Sequence, residues 1–266
     1  MIRVEIIGDA TLYLGDALEV LQDIDGPFDA LVTDPPYSSG GMTRGDRALQ
    51  SAVAKYVNSD ATHAAHNIDF TGDNRDSRSW AFWCSMWMAL AHDRMRPGAY
   101  VMVFTDWRQL PSLTDAVQAG GFVWRGLVPW DKTESSRAPH TGYFRHQCEY
   151  VVWGSNGPLA PSEHGGPWPG CIRERVDHRE KQHMTGKPVS LMADLLRATT
   201  PGGLILDPFM GSASTGVAAL QLGRRFVGIE KSLQYFDVSC RRLEAAHAQG
   251  RLFADAPMAL EQGALL

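Results

Sequence analysis

The stretch from residue 204 to residue 230 restricts the possible folds most. Leu204-Ile205-Leu206 reads as a short buried strand that Asp207 ends. Pro208 to Ser214 is a tight loop of small residues, Thr215 to Leu222 a helix, and Gly223 its stop. Arg225 to Ile229 is the next strand, ending in Glu230. Two strands joined through a helix run parallel, and parallel strands bury both faces. The expected fold is therefore α/β, a doubly wound, mostly parallel sheet with helices on both faces. Such sheets bind ligands beyond the carboxyl ends of their strands. The loop lacks G-x-G-x-x-G and has only Gly211 with Ser212 and Ala213, which leaves less room for a pyrophosphate. An amino-acid-like group fits better. Asp207 can bind an ammonium, N–H groups near Ser212 to Thr215 a carboxylate, and Glu230 a pair of ribose hydroxyls.

A second acid ends a strand near the front of the chain. Phe28-Asp29-Ala30-Leu31-Val32-Thr33 is an apolar run followed by Asp34-Pro35-Pro36-Tyr37. Two prolines without N–H donors cannot continue a central strand, so the chain turns a stiff, carbonyl-rich corner. That chemistry suits a planar amine, whose lone pair is delocalised into its ring. Asp34 accepts one N–H, a turn carbonyl accepts the other, and the nitrogen is drawn toward tetrahedral geometry. Tyr37 offers a face for stacking. The bland alternative is a Pro-Pro turn with an acidic cap and a surface tyrosine.

Asp34-Pro35-Pro36-Tyr37 resembles the catalytic motif of amino-methylating DNA methyltransferases, which act on adenine N6 or cytosine N4. Asp207-Pro208-Phe209-Met210-Gly211-Ser212 resembles the S-adenosylmethionine loop of the same family. Catalytic motif first and cofactor loop second is the circularly permuted order of the family's beta group. The resemblance covers most of residues 11–243. It implies a seven-stranded, Rossmann-like sheet with one antiparallel strand near an edge. It also implies base flipping in double-stranded DNA, S-adenosylmethionine as cofactor, no metal, and a homodimer. Catalysis falls on Asp34, Pro35, Pro36 and Tyr37. Cofactor binding falls on Asp16, Ala17, Asp34, Lys187, Asp207, Pro208, Phe209, Gly211, Ser212, Ser214, Thr215 and Glu230. Asp in the first motif position is typical of the adenine enzymes. Cytosine N4, a glutamine or RNA amine, and a non-catalytic DNA-binding regulator on the same fold stay open as alternatives.

The rest of the chain reads as one methyltransferase domain over 1–246 with a tail at 247–266. Val4 to Ile7 and Ala10 to Leu14 are short strands, and Asp16 stands at the start of a helix over Ala17 to Leu21. Residues 38–79 are too long for an ordinary connection and read as an insert that closes over DNA, with one helix around Arg47 to Val57. His63 and His66 there read as solvated. Ser79 to Met95 is a helix whose Trp80, Trp83, Trp87 and Leu90 form a core stripe. Ala99 to Phe104 is a strand that brings Asp106 and Trp107 to the rim expected for Asp34. A helix over Leu113 to Ala119, a strand over Phe122 to Trp130 and an antiparallel strand over Glu149 to Trp153 follow. Basic residues among aromatics in 132–147 suit phosphate contact, with Lys132, Arg137 and Arg145 beside Tyr143 and Phe144. Residues 154–183 form a short target-recognition region, with Arg173, Arg175, Arg179 and Lys181 as DNA contacts. Gly186-Lys187-Pro188 opens a helix over Val189 to Thr199.

Composition adds limits. The net charge of −5 does not suggest nucleic acid, but residues 1–34 hold eight acids and one base, while the remainder is slightly basic. The most apolar window, Trp80 to Leu90, is too short to cross a membrane. Four cysteines without a C-x-x-C pair fit a reduced, cytoplasmic protein, and Cys171, His178 and His183 match no standard zinc spacing.

Overall fold

A computed structural model describes residues 2–37, 75–134, 141–160, 164–175 and 186–249. The insert from 38 to 74, with His63, His66 and the expected helix near Arg47, lies outside the described residues. So do Arg137, His178, Arg179, Lys181, His183 and residues 250–266.

The strands are β1 (Arg3–Ile7), β2 (Ala10–Leu14), β3 (Phe28–Thr33), β4 (Met95–Thr105), β5 (Val123–Asp131), β6 (Cys148–Ser155), β7 (Ile172–Arg173), β8 (Leu204–Asp207) and β9 (Arg225–Glu230). The helices are α1 (Ala17–Asp23), α2 (Ser77–His92), α3 (Leu110–Ala119), α4 (Val189–Leu196), α5 (Ser214–Gln221) and α6 (Leu233–Gln249). All nine strands join one sheet in the order β1-β2-β9-β8-β3-β4-β6-β5-β7. The central run β2-β9-β8-β3-β4 is parallel throughout.

Against the expected seven strands, the described residues form nine. β1 folds back on β2 through a turn at Gly8, whose φ of 55° favours glycine. β7 is a two-residue strand beside the end of β5. The expected antiparallel strand is β6, which lies between β4 and β5. β4 begins earlier than the sequence suggests, at Met95. A register shift opposite Phe28 and Ala30 absorbs Pro97 and Gly98. α2 also begins earlier, because the Asp76 carboxylate accepts the N–H groups of Arg78 and Ser79. Such a cap contributes about 1 kcal/mol.

Strand periodicity divides the core in two. Ala30, Val32, Tyr100, Met102, Phe104, Ile205 and Phe226 face α4, α5 and α6. Leu31, Val101, Val103, Leu206, Val227 and Ile229 face α1, α2 and α3. Successive side chains on a strand point to opposite faces, so one apolar run feeds both layers. The chain leaves β3 through α2 toward β4, and leaves β8 through α5 toward β9, on the other side. β3 and β8 are parallel neighbours from which the chain proceeds to opposite edges, so the order of connection reverses between them. That is the place where such sheets open a crevice at their carboxyl ends.

Candidate functional site

Asp34 and Asp207 stand on either side of this reversal. Leu31 pairs with Leu206, and the Thr33 hydroxyl donates to Asp207 Oδ1 at 2.6 Å. The front corner and the back loop, 173 residues apart, therefore meet at one rim.

Asp34 is partly buried. Its Oδ2 accepts from Lys187 Nζ at 2.5 Å. Its Oδ1 is buried and has no hydrogen-bond partner among the described residues. Leaving a buried carboxylate oxygen unpaired costs at least about 1–3 kcal/mol, so the corner presents an acceptor ready for a donor. Burial raises the pKa of Asp34, and the Lys187 ammonium opposes that rise.

Lys187 precedes α4 and is itself buried. Its Nζ also lies 3.4 Å from Glu149 Oε2. Glu149 Oε1 accepts from Lys132 Nζ at 3.0 Å. Burial works against both charges of the inner pair. The neighbouring ions outweigh it, raising the pKa of Lys187 and lowering that of Glu149. The Tyr37 hydroxyl donates to Glu149 Oε2 at 3.4 Å. Lys187, expected beside a cofactor, and Lys132, expected at phosphate, are both held in this internal network. Glu149 was read only as the first residue of a strand. A charged side chain at a strand's rim end was the available signal.

Trp80 is fully buried, as its place in the stripe predicts, but its indole N–H also donates to the Pro36 carbonyl at 2.7 Å. It thus pins the proline corner, a role that periodicity does not reveal. Trp83 and Trp87 pack on Phe209, each with ring centroids 5.1 Å apart.

The back loop is fixed from several sides. Asp207 is 2% exposed, and its carboxylate accepts from Thr33, from the Thr215 hydroxyl at 2.7 Å and from the Phe209 N–H at 3.1 Å. Both oxygens expected to meet a ligand ammonium are thus engaged within the protein, and the side chain is enclosed. Thr215 serves Asp207 in the same way. Burial pushes the Asp207 carboxyl up to about 6, against these hydrogen bonds. Ser239 of α6 donates to the Gly211 carbonyl at 2.7 Å. Arg242 donates to the Ser212 carbonyl, to the Ser212 hydroxyl at 2.9 Å and to that of Ser214 at 3.3 Å. Ala213 sits at φ 58°, a left-handed conformation that costs a residue with a Cβ about 1 kcal/mol or more. Pro208 is buried, while Phe209 and Gly211 keep some exposure.

Glu230 is partly exposed and adjoins the loop. Its Oε2 accepts from the Gly211 N–H at 3.0 Å and its Oε1 from the Ser232 N–H at 2.7 Å. Burial pushes its carboxyl up to about 7, opposed by those N–H groups. Asp16 caps α1 through the Leu18 N–H at 2.9 Å and meets Lys231 Nζ at 3.0 Å, while Ala17 is core.

On the same rim, Asp106 accepts the N–H groups of Arg108 and Gln109. Trp107 is half exposed and stacks on His146, ring centroids 6.3 Å apart. Arg145, Arg173 and Arg175 are exposed. Arg173 lies 3.6 Å from Asp131. No group of three or more His, Cys, Asp or Glu suited to a metal occurs among the described residues, and no described helix is long and apolar enough to cross a membrane.

Comparison with known proteins adds three findings. The profile of the N6/N4 DNA methylases matches residues 28–162 and 159–241. The chain is 31% identical over 233 residues to the Escherichia coli protein YubD, spanning 87% of this chain and 88% of that one. It is 28% identical over 236 residues to the type II methyltransferase M2.DpnII of Streptococcus pneumoniae, spanning 82% and 83%. Among solved structures, M1.HpyAVI in complex with SAM has the same fold at a TM-score of 0.63 and 23% identity, covering 88% of this chain and 98% of that one.

Proposed function

The chain belongs to the N6/N4 DNA methylase family, and from that premise we propose that it methylates adenine N6 in duplex DNA. The observation that carries this reading is the Asp34 carboxylate, with Oδ2 held by Lys187 and Oδ1 without a partner among the described residues.

The cofactor is S-adenosylmethionine, in keeping with the SAM complex of M1.HpyAVI. The acceptors present suit it: Asp16, Asp34 and Glu230 stand at the carboxyl ends of β2, β3 and β9, and carboxylates favour a cationic ligand bearing ribose hydroxyls. When bound, it supplies an electrophilic methyl group. Glu230 would take the hydroxyls, and Phe209 and Gly211, both partly exposed in the loop, would complete the set that holds it. Asp207, Thr215, Ser212 and Ser214 shape the loop from behind.

The target base is flipped out of the helix, at a cost of a few kcal/mol, and stacks on Tyr37. Asp34 Oδ1 accepts one N–H of the amine. The Pro35 carbonyl accepts the other, because the Pro36 carbonyl is engaged by Trp80. Both acceptors localise the nitrogen lone pair toward the methyl group. The proton that the amine sheds passes to Asp34 Oδ1. Most of the acceleration comes from holding the reacting atoms in line.

We read residues 1–246 as one domain with the permuted motif order, acting as a homodimer. Arg145, Arg173 and Arg175 are its described DNA contacts, with Arg137, Arg179 and Lys181 completing the set from outside the described residues. The insert and the 154–183 region share target recognition. Cytosine N4 is the second reading, because the family acts on either base. The test is methyl transfer from radiolabelled cofactor to unmethylated duplex DNA. Asp34→Ala should abolish transfer while cofactor binding survives; near-normal turnover would refute the role of Asp34.

A further inference from the structure

We infer that Glu149 is a positioning residue of the transfer site, anchoring both the ammonium that orients Asp34 and the ring on which the base stacks. The inference rests on the methyl-transfer reading above. Nothing in the motifs assigns Glu149 a role, since it lies 112 residues from Tyr37 and belongs to neither motif.

The geometry is that of a junction. Glu149 stands second in β6, opposite Trp130 of β5, where the strand reaches the catalytic rim. Its Oε2 serves two donors, Lys187 Nζ and the Tyr37 hydroxyl, both at 3.4 Å. Its Oε1 takes Lys132 Nζ at 3.0 Å. Lys187 in turn holds Asp34 Oδ2. Two carboxylates and two ammonium groups therefore compensate one another in a largely buried chain, Asp34–Lys187–Glu149–Lys132. A buried ion is tolerable only when paired in this way. One strand residue thus fixes the carboxylate that receives the amine and the ring that holds the base. Transfer chemistry is sensitive to displacements of about 1 Å, so such an anchor acts on rate more than on binding.

The network also fixes the direction of a pH effect. Asp34 is faced by Lys187 from the segment before α4, by Glu149 from β6, by Asp207 from β8 and by Tyr37 from its own corner. Lys132 acts through Glu149. Glu149 is the like charge that raises the Asp34 pKa, and Lys187 the opposite charge that lowers it. Removing Glu149's charge moves the acidic limb of the rate profile to lower pH; removing Lys187's charge moves it to higher pH.

The experiment compares wild type, Glu149→Gln and Lys187→Met on unmethylated plasmid DNA, with kcat, KM and cofactor affinity measured across pH 5–9. Glu149→Gln should lower kcat about 10- to 100-fold, with KM for DNA and cofactor affinity changing less than about threefold. Its acidic limb should shift down while that of Lys187→Met shifts up. A Glu149→Gln enzyme with wild-type kcat and an unmoved limb overturns the inference. If Glu149→Gln fails to bind cofactor, Tyr37→Phe decides: it keeps the ring and removes the hydroxyl, and should lower kcat about 3- to 10-fold. An unchanged kcat there also overturns it. A wild type that methylates no DNA would overturn the underlying function, which is a separate outcome.

Discussion

Replacing Asp34 by asparagine tests the site with almost no change of shape. The side chain has two unequal oxygens: Oδ2 is bonded to the Lys187 ammonium at 2.5 Å, and Oδ1 has no partner among the described residues. Asparagine keeps one oxygen. Lys187 is buried and has three donors and no acceptor, so it claims that oxygen. The amide NH2 then occupies the place of Oδ1 and faces the substrate amine, donor against donor. Turning the amide round would sacrifice a hydrogen bond to a charged group, about 1.5–3 kcal/mol. Loss of the carboxylate charge adds roughly 1–1.5 kcal/mol, the difference between charged and neutral hydrogen bonds. The total of about 2.5–4.5 kcal/mol corresponds to a loss in kcat on the order of 10²- to 10³-fold. Adding Lys187→Met removes the claim on the oxygen and lets the amide turn, so the double variant should exceed Asp34→Asn about tenfold. Steady-state methyl transfer gives kcat for each, and calorimetric cofactor binding checks the fold. An Asp34→Asn enzyme within threefold of wild type, or a double variant no faster than the single, would refute the reasoning.

Four further outcomes are expected. Glu230 titrates near 7, and ribose hydroxyls donate best to its charged form, so cofactor affinity should fall as pH drops below that value, by up to about tenfold per unit. Isothermal titration of wild type against Glu230→Gln would show the dependence in the first only. The same raised pKa makes the free protein less stable as pH rises from 4.5 toward 7, because the native state retains the proton longer. Trp80→Phe removes the donor to the Pro36 carbonyl but keeps an aromatic ring in the core. It should cost about 1–2 kcal/mol in a thermal melt and lower kcat more than cofactor affinity. Arg242→Ala releases the backbone and hydroxyls of Ser212 and Ser214. It should weaken cofactor binding about tenfold, as fluorescence titration would detect, with DNA binding unchanged in a shift assay.

The sheet was legible because its strands are apolar runs bounded by strong punctuation. Asp34-Pro35-Pro36, Asp207-Pro208 and Gly223 each stop an element for a local reason that survives folding. The additional strands were harder. β7 exists only because Ile172 and Arg173 lie beside Trp130 and Asp131, a pairing that no two-residue pattern foretells. The meeting of the two acidic corners followed from strand order, whereas the division of labour between them did not. Asp207 looks as accessible in sequence as Asp34, yet Thr33 and Thr215 enclose it. The family resemblance implied a cofactor contact for Lys187. Its ammonium meets carboxylates from residues 34 and 149. Such partners come from distant elements and leave no local trace.

The central claim is that the carboxylate of Asp34 receives the amine of a flipped adenine. The most direct test is mass spectrometry of nucleosides from DNA of a methylation-deficient host expressing the protein. N6-methyldeoxyadenosine with wild type, and its disappearance with Asp34→Ala, is the predicted result. N4-methyldeoxycytidine would contradict the choice of base, and N6-methyldeoxyadenosine persisting with Asp34→Ala would contradict the site.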